Sequence, residues 1–227
     1  MMVHERGPWL PTQTVSTNVA GMNWAGHFIV IDGPDGSGKG TQLDRLVAWI
    51  AEQGGRCRRA RDPGGTEIGD RIRHVLLGYD LAAMDPRCET LLFMASRAQL
   101  VAEIIRPALD AGETVLCDRY ISATCAYQGA VGIPPEDVLT VGRLAVGPTW
   151  PHLTVVLDVP PEVCFQRIDE RASDAMERRP LEFHRRVREA FRLLPTVYPT
   201  PVVLIDADRT VDAVWHDVQE AVRRAFP

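Results

Sequence analysis

The 227-residue chain has no surplus of positive charge, no paired cysteines and no long apolar run, and each absence removes a class of function. A net charge of −5 with a pI near 5.7 offers no basic field to a nucleic-acid polymer. Any phosphate it binds must be held by local arginines. The five cysteines, Cys57, Cys88, Cys117, Cys125 and Cys164, are odd in number and never spaced as C-x-x-C. Neither a zinc site nor a disulfide framework is indicated, and a reducing cytoplasm fits best. No segment approaches the roughly 20 consecutive apolar residues of a membrane-spanning helix, so no membrane partner is expected. Repeats and low-complexity linkers are also lacking. That leaves one large domain as the natural reading of a chain that is 45% hydrophobic. Residues 1–26 carry charges and prolines without the apolar stretch of a signal peptide. They read as a disordered N-terminal extension, with Met22 as an alternative start, ahead of a domain over 27–227.

What is present is an alternation of short apolar runs and helical spacings. "HFIVID" reads as a buried strand, and Leu43, Leu46, Val47 and Ile50 follow at i, i+3, i+4, i+7, one face of a helix. Ile68, Ile72, Val75 and Leu76 repeat that spacing, and a long helix is predicted from about Arg87 to Leu109. "TVLCD", "LTVVLDV" and "PVVLIDA" are further continuous apolar runs, each followed by a helical segment. Strands alternating with helices predict parallel pairing through right-handed crossovers: an α/β fold of three layers with helices on both faces of the sheet. Ligands belong at the carboxyl ends of such strands.

Between the first strand and its helix lies "GPDGSGKGT", Gly33 to Thr41, the pattern of a phosphate-binding P-loop. Gly33, Gly36 and Gly38 let backbone amides approach a phosphate, and Lys39 adds a point charge at a helix N-terminus. One position departs from G-x-x-x-x-G-K-[ST]: Gly40 follows the lysine, and the hydroxyl comes one place late, on Thr41. Asp118 closes "TVLCD", a strand-terminal carboxylate suited to holding magnesium directly or through water; a lone Asp there also serves as a helix cap. Arginines form the second informative class, because phosphoryl transfer needs dispersed positive charge. Arg61, Arg73, Arg97 and Arg119 fall near strand ends or on following helices. Arg167, Arg171, Arg178 and Arg179 gather in a basic segment that reads as a lid, about 167–180, or as a charged loop.

The segments "FIVIDGPDGSGKGTQ", "RDPGGTEIGDRIR", "LLFMASRAQ", "VLCDRYISATCAYQG" and "LTVVLDVPPEV" occur in an order that resembles the bacterial thymidylate kinases, P-loop nucleoside monophosphate kinases. The resemblance covers nearly everything from Phe28 onward. It implies a five-stranded parallel P-loop NTPase fold with a short lid, transfer of the γ-phosphoryl group of ATP to dTMP, Mg2+, and a homodimer. It also implies residue roles. Gly33, Pro34, Asp35, Gly36, Ser37, Gly38, Lys39, Gly40 and Thr41 would hold the ATP phosphates. Phe93 would stack on thymine, while Arg97, Thr124 and Gln128 would meet its edge. Tyr127 would pack under the deoxyribose, and Arg73 and Arg119 would hold the monophosphate, with Asp35, Arg61 and Asp62 nearby. Lys39, Arg119, Asp118 and Arg171 would be catalytic, and Asp118, Asp35 and Thr41 would serve the metal.

The chain also departs from that family. Asp62 stands where "REPGGT" has Glu, Ala123 stands at a position that is often Ser, and Ala175 stands where many relatives carry an arginine in the lid. A kinase with a shifted pyrimidine acceptor such as dUMP, a nucleotide-binding regulator without turnover, and an adenylate kinase stay open at this level.

Overall fold

A computed structural model describes residues 22–78, 84–167 and 179–227. Strands β1 (Phe28–Asp32), β2 (Cys57–Arg61), β3 (Thr114–Asp118), β4 (Leu153–Asp158) and β5 (Val202–Asp206) form one sheet in the order β2-β3-β1-β4-β5. Every pairing in it is parallel. Four of these strands are the apolar runs seen in the sequence. The remaining one, β2, reads "CRRAR" and tolerates its arginines because it is an edge. Arg58 donates to Glu113 at 3.1 Å, and Arg59 pairs with Asp44. Charge on an edge strand also blocks pairing with a further chain.

Alternation along β1 builds two cores. Phe28 and Val30 face one side, with side chains from α3 (Pro86–Leu100), α5 (Ile121–Tyr127), α6 (Pro135–Val146) and α8 (Leu181–Val197). Ile29 and Ile31 face the other, with α1 (Lys39–Glu52) and α9 (Val211–Ala225). Phe183, Val187, Phe191 and Leu194 make the buried stripe of α8, and Val214, Val218, Ala221 and Val222 that of α9. Each such side chain stabilises the fold by about 1.5–3 kcal/mol when fully buried.

The long helix begins where Asp85 caps it, accepting the Arg87 and Cys88 amides with Pro86 at the first position. It runs on beyond α3 through a π-helical turn (Val101–Ile105) and the short α4 (Arg106–Asp110). The turn lies directly before Pro107, whose missing N–H interrupts the i→i−4 ladder. The helix α2 (Glu67–Gly78) differs from the face its spacing predicts. Leu76 is buried, but Ile68 and Val75 lie on the surface. The basic segment sits between α7 (Pro161–Arg167) and α8, and residues 168–178 are outside the described residues.

Packing extends upstream of the predicted boundary at residue 27. Trp24 is only 4% exposed and belongs to the α1/α9 core, its ring 5.1 Å from that of Trp49. The Thr114 hydroxyl donates to the Trp24 carbonyl, which fixes this segment to the start of β3. A single tryptophan in a polar stretch carries no periodicity, so sequence pattern assigns it to the extension. Residues 1–21 lie outside the described residues. Trp24→Ala is expected to cost about 3–5 kcal/mol of stability, read as a lower urea midpoint. An unchanged midpoint would mean that the indole is not part of the core.

Candidate active site

The carboxyl ends of the neighbouring strands β1 and β3 bring the glycine-rich loop and Arg119 together. The loop from Gly33 needs its glycines for steric reasons. A Cβ on Gly33 would lie 2.6 Å from the Leu157 carbonyl oxygen, and one on Gly36 would lie 2.6 Å from that of Cys164; both residues have positive φ. Gly40 is different: its φ is ordinary, and nothing lies within 4 Å of the place a Cβ would take. The missing hydroxyl there is not forced by space, and Thr41 is exposed on the first turn of α1.

Lys39 is the only lysine in the chain. Its Nζ donates to the carbonyls of Gly33 at 3.1 Å and Pro34 at 2.8 Å, and lies 3.5 Å from Asp35. Burial and the neighbouring Arg119 both lower its pKa. Arg119, directly after Asp118, is the one non-glycine among the described residues with positive φ, at 65°. Such a conformation costs of order 1–3 kcal/mol and persists where its surroundings demand it. Here the demand is a set of bonds. The Arg119 amide donates to Ile31 O at 3.1 Å, and its guanidinium reaches Gly33 O at 3.0 Å, Asp32 at 3.5 Å, Asp35, and the Tyr127 hydroxyl at 3.3 Å. Burial opposes charge on Asp35, but Arg119 and Lys39 outweigh it and hold that carboxyl well below the usual range.

Asp32 went unnoticed in the sequence. It is fully buried, accepts the Gly33 amide at 2.8 Å and the Ser122 hydroxyl at 2.6 Å, and has its pKa raised by burial against the pull of Arg119. Its signal was the carboxylate that ends "VID" immediately before the loop.

Beside the loop, a pocket of about 530 Å³, open to solvent at its mouth, holds nine of the ten expected residues. They are Asp35, Asp62, Arg73, Phe93 and Arg97, with Arg119, Thr124, Tyr127 and Gln128 opposite; Pro63 and Leu77 add apolar wall. Arg61 is not among them. It is exposed and turns toward Asp70, 3.7 Å away, because the chain bends back after β2 and only the next side chain points inward. The "DPGGT" turn is pinned to α3 by the Gly64 amide, which donates to Ser96 at 3.0 Å.

Arg97, 1% exposed, is largely committed to the protein. Nε donates to Asp62 at 2.5 Å, Nη1 to the Met94 sulfur at 3.0 Å, and Nη2 to Tyr120 O and Thr124 Oγ1, both at 3.0 Å. Of its five N–H groups one on Nη1 is left for a ligand, and Thr124, having accepted, keeps its O–H to donate. Asp62 keeps one buried oxygen, Oδ1, without a hydrogen bond among the described residues, and the same is true of Asp118 Oδ1. Of the basic segment, Arg167 reaches Ala207 O and Asp208, each at 3.4 Å, and Arg179 reaches Glu89. Arg171, Arg178 and Ala175 lie outside the described residues.

A family model described as thymidylate kinase matches residues 31–218. The chain belongs to the thymidylate kinase family. Among curated proteins it is similar to the thymidylate kinase of Symbiobacterium thermophilum, with 40% identity over 201 residues, 88% of this chain and 94% of that one. The thymidylate kinase of Deinococcus radiodurans is 43% identical over 199 residues, 87% of this chain and 96% of its own. The thymidylate kinase of Exiguobacterium sp. is 42% identical over 196 residues, 86% and 92% of the two chains. The five-stranded parallel sheet is the P-loop fold expected for the thymidylate kinase family.

The loop glycines separate sharply in what they tolerate. Gly40→Ala should leave ATP binding within about twofold and raise stability by about 0.5–1 kcal/mol, since it removes a glycine from a helix. Gly36→Ala should weaken ATP binding by about tenfold or more, because its Cβ meets backbone. Calorimetric titration with ATP and thermal melts of both variants test this. Equal behaviour of the two would contradict it.

Proposed function

We propose that the protein transfers the γ-phosphoryl group of ATP to dTMP, forming dTDP. The observation that carries the reading is a pocket beside the P-loop whose twelve lining residues include nine of the expected ones, supplied by five separate chain segments. The names of the relatives agree with it.

The acceptor phosphate is already an anion, so the reaction needs alignment and charge neutralisation rather than a strong base. The loop amides of Gly33, Asp35, Gly36, Ser37, Gly38, Lys39, Gly40 and Thr41 cradle the ATP phosphates, with Pro34, which has no N–H to give, shaping the turn between them. Lys39 exchanges its carbonyl partners for phosphate oxygens. Arg119, already between loop and pocket, faces both phosphate groups, and Arg73 joins it on the acceptor side. Phe93 and Arg97, at i and i+4 on α3, meet the base from one helix face. Thr124 and Gln128 meet its edge, and Tyr127 packs under the sugar, where a 2′-hydroxyl would crowd it. Arg171 is the lid arginine assigned to catalysis.

The donor set suits Mg2+, which takes one or two carboxylates plus substrate phosphates and keeps its waters. Asp118, with a buried oxygen that makes no hydrogen bond among the described residues, and Asp35 would hold it with Thr41, partly through water. The ion supplies charge neutralisation on the phosphate oxygens. Five free cysteines support a cytoplasmic setting. Ile68, Val75 and Leu91 with Leu144, which is 88% exposed, support a homodimer formed through the α2, α3 and α6 face. On that reading Leu144→Glu should convert the dimer to a monomer in light scattering, and a monomeric parent protein would count against it.

A coupled ADP-release assay with dTMP, dUMP, dCMP, dGMP and AMP tests the activity, with dTMP expected to be preferred. Preference for AMP would sink the proposal, and nucleotide binding without turnover would point to a regulator. Arg97→Ala should raise KM for dTMP by about tenfold or more with ATP binding little changed. It should also cost about 3–5 kcal/mol of stability, since Asp62 is left buried and unpaired. Equal loss of both substrates would count against a base-side role.

A further inference from the structure

Ser122 is a fully buried hydroxyl to which the reaction described above gives no role. It sits on α5 beside Thr124 and Tyr127, which line the pocket, but it is absent from the pocket wall. Its hydroxyl instead donates to Asp32 Oδ2 at 2.6 Å, at the end of β1. Asp32 thus divides its two oxygens. Oδ1 accepts the Gly33 amide at 2.8 Å, and Oδ2 is left to Ser122. Both donors are neutral, so neither cancels the charge that burial makes costly. That charge is answered by Arg119, whose Nη1 lies 3.5 Å from Oδ1, at the outer limit of a hydrogen bond.

Two other aspartates in this protein hold their arginines far more closely. Arg97 Nε meets Asp62 at 2.5 Å, and Arg188 takes Asp158 with Nε at 2.6 Å and Nη2 at 3.0 Å. The fork of two parallel bonds on Asp158 is what a carboxylate and a guanidinium reach when nothing else claims their geometry. Asp32 is kept from that fork, because Gly33 and Ser122 together fix the plane of its carboxylate. The consequence falls on Arg119, which gains a compensating charge without giving up its donors to it. Nη1 also reaches Gly33 O at 3.0 Å, Nη2 faces Asp35 and the Tyr127 hydroxyl, and Nε makes no hydrogen bond among the described residues. The guanidinium stays on the pocket wall.

We propose that Ser122 is a positioning residue for phosphoryl transfer: by fixing the Asp32 carboxylate, it keeps Arg119 compensated but unclamped, with its fork free for the phosphate groups. This rests on the reading of Arg119 as the arginine between donor and acceptor phosphates. In Ser122→Ala, Asp32 Oδ2 loses the one donor it has among the described residues. A buried carboxylate oxygen without a donor is costly, and the N–H groups within reach are those of Arg119. The carboxylate then turns to take two of them, and the guanidinium is drawn from the pocket wall toward β1.

The test is the single-turnover rate of dTDP formation at saturating ATP, magnesium and dTMP, for the parent protein, Ser122→Ala, Arg119→Lys and the double variant. Lysine keeps a cation beside Asp32 and Asp35 but has no fork for a carboxylate to clamp. Ser122→Ala should slow transfer by about tenfold or more when Arg119 is present. It should slow transfer by less than about twofold when lysine already stands there, because the two residues act through one another. Equal slowing in both backgrounds would reduce Ser122 to a packing residue, and an unchanged rate in Ser122→Ala would make its bond irrelevant. Either result overturns the proposal and leaves the proposed function standing. A parent protein that does not phosphorylate dTMP, or Arg119→Lys at the parent rate, would overturn the reading of Arg119 and this proposal with it. Should Ser122→Ala fail to fold, Ser122→Cys, close in size and a far weaker donor, carries the same cycle.

Discussion

Arg119 is a buried guanidinium that the donor loop and the acceptor pocket share, and the geometry of the site depends on keeping that charge compensated. Asp32 and Asp35 supply the negative charge, Gly33 a carbonyl, and Tyr127 both a hydroxyl and an aromatic face 5.1 Å from Cζ. Asp32, Gly33 and Asp35 belong to the end of β1 and its loop and Tyr127 to α5 at the pocket wall, so one side chain ties P-loop and pocket together. The strained φ of Arg119 is the local cost of aiming it there, and the bond from its amide to Ile31 holds the backbone in place. Removing Asp32 or Asp35 would leave the buried guanidinium short of compensating charge, so these groups are expected to be energetically coupled.

Two departures from the family pattern gain physical meaning in this frame. Asp62, a methylene shorter than glutamate, still meets Arg97 at 2.5 Å, and its amide donates to Asp118 O at 3.0 Å. The Asp62–Arg97 pair forms part of the pocket wall, and a single Arg97 N–H is left without a protein partner there. Gly40, by contrast, sits in open space, so the P-loop works sterically with or without a side chain there.

Much of this was legible in the sequence, for reasons that differ between elements. β1, β3 and β4 are buried on both faces and therefore read as unbroken apolar runs; of the two edge strands, β5 keeps an apolar run although only Ile205 is buried, while β2 carries arginines and shows no hydrophobic pattern. The start of α3 was visible within a residue because Asp85 and Pro86 form a local signal. The pocket residues came from family resemblance, since Phe93 or Gln128 alone is indistinguishable from an ordinary core or helix-end residue. Trp24 was assigned to the extension because nothing around it is periodic. The pairs Asp32–Ser122 and Glu89–Arg179 were invisible for another reason: each joins residues 90 positions apart, and only the folded sheet brings them into contact.

The central claim, that Arg119 joins a P-loop donor site to a thymidylate pocket, is tested most directly by a crystal structure with dTMP and a non-hydrolysable ATP analogue. The account predicts the dTMP phosphate within hydrogen-bonding distance of both Arg119 and Arg73, the base over Phe93, and Lys39 turned from the Gly33 and Pro34 carbonyls to the analogue's phosphates. A dTMP phosphate bound away from Arg119, or a base outside the pocket of Phe93 and Gln128, would contradict it.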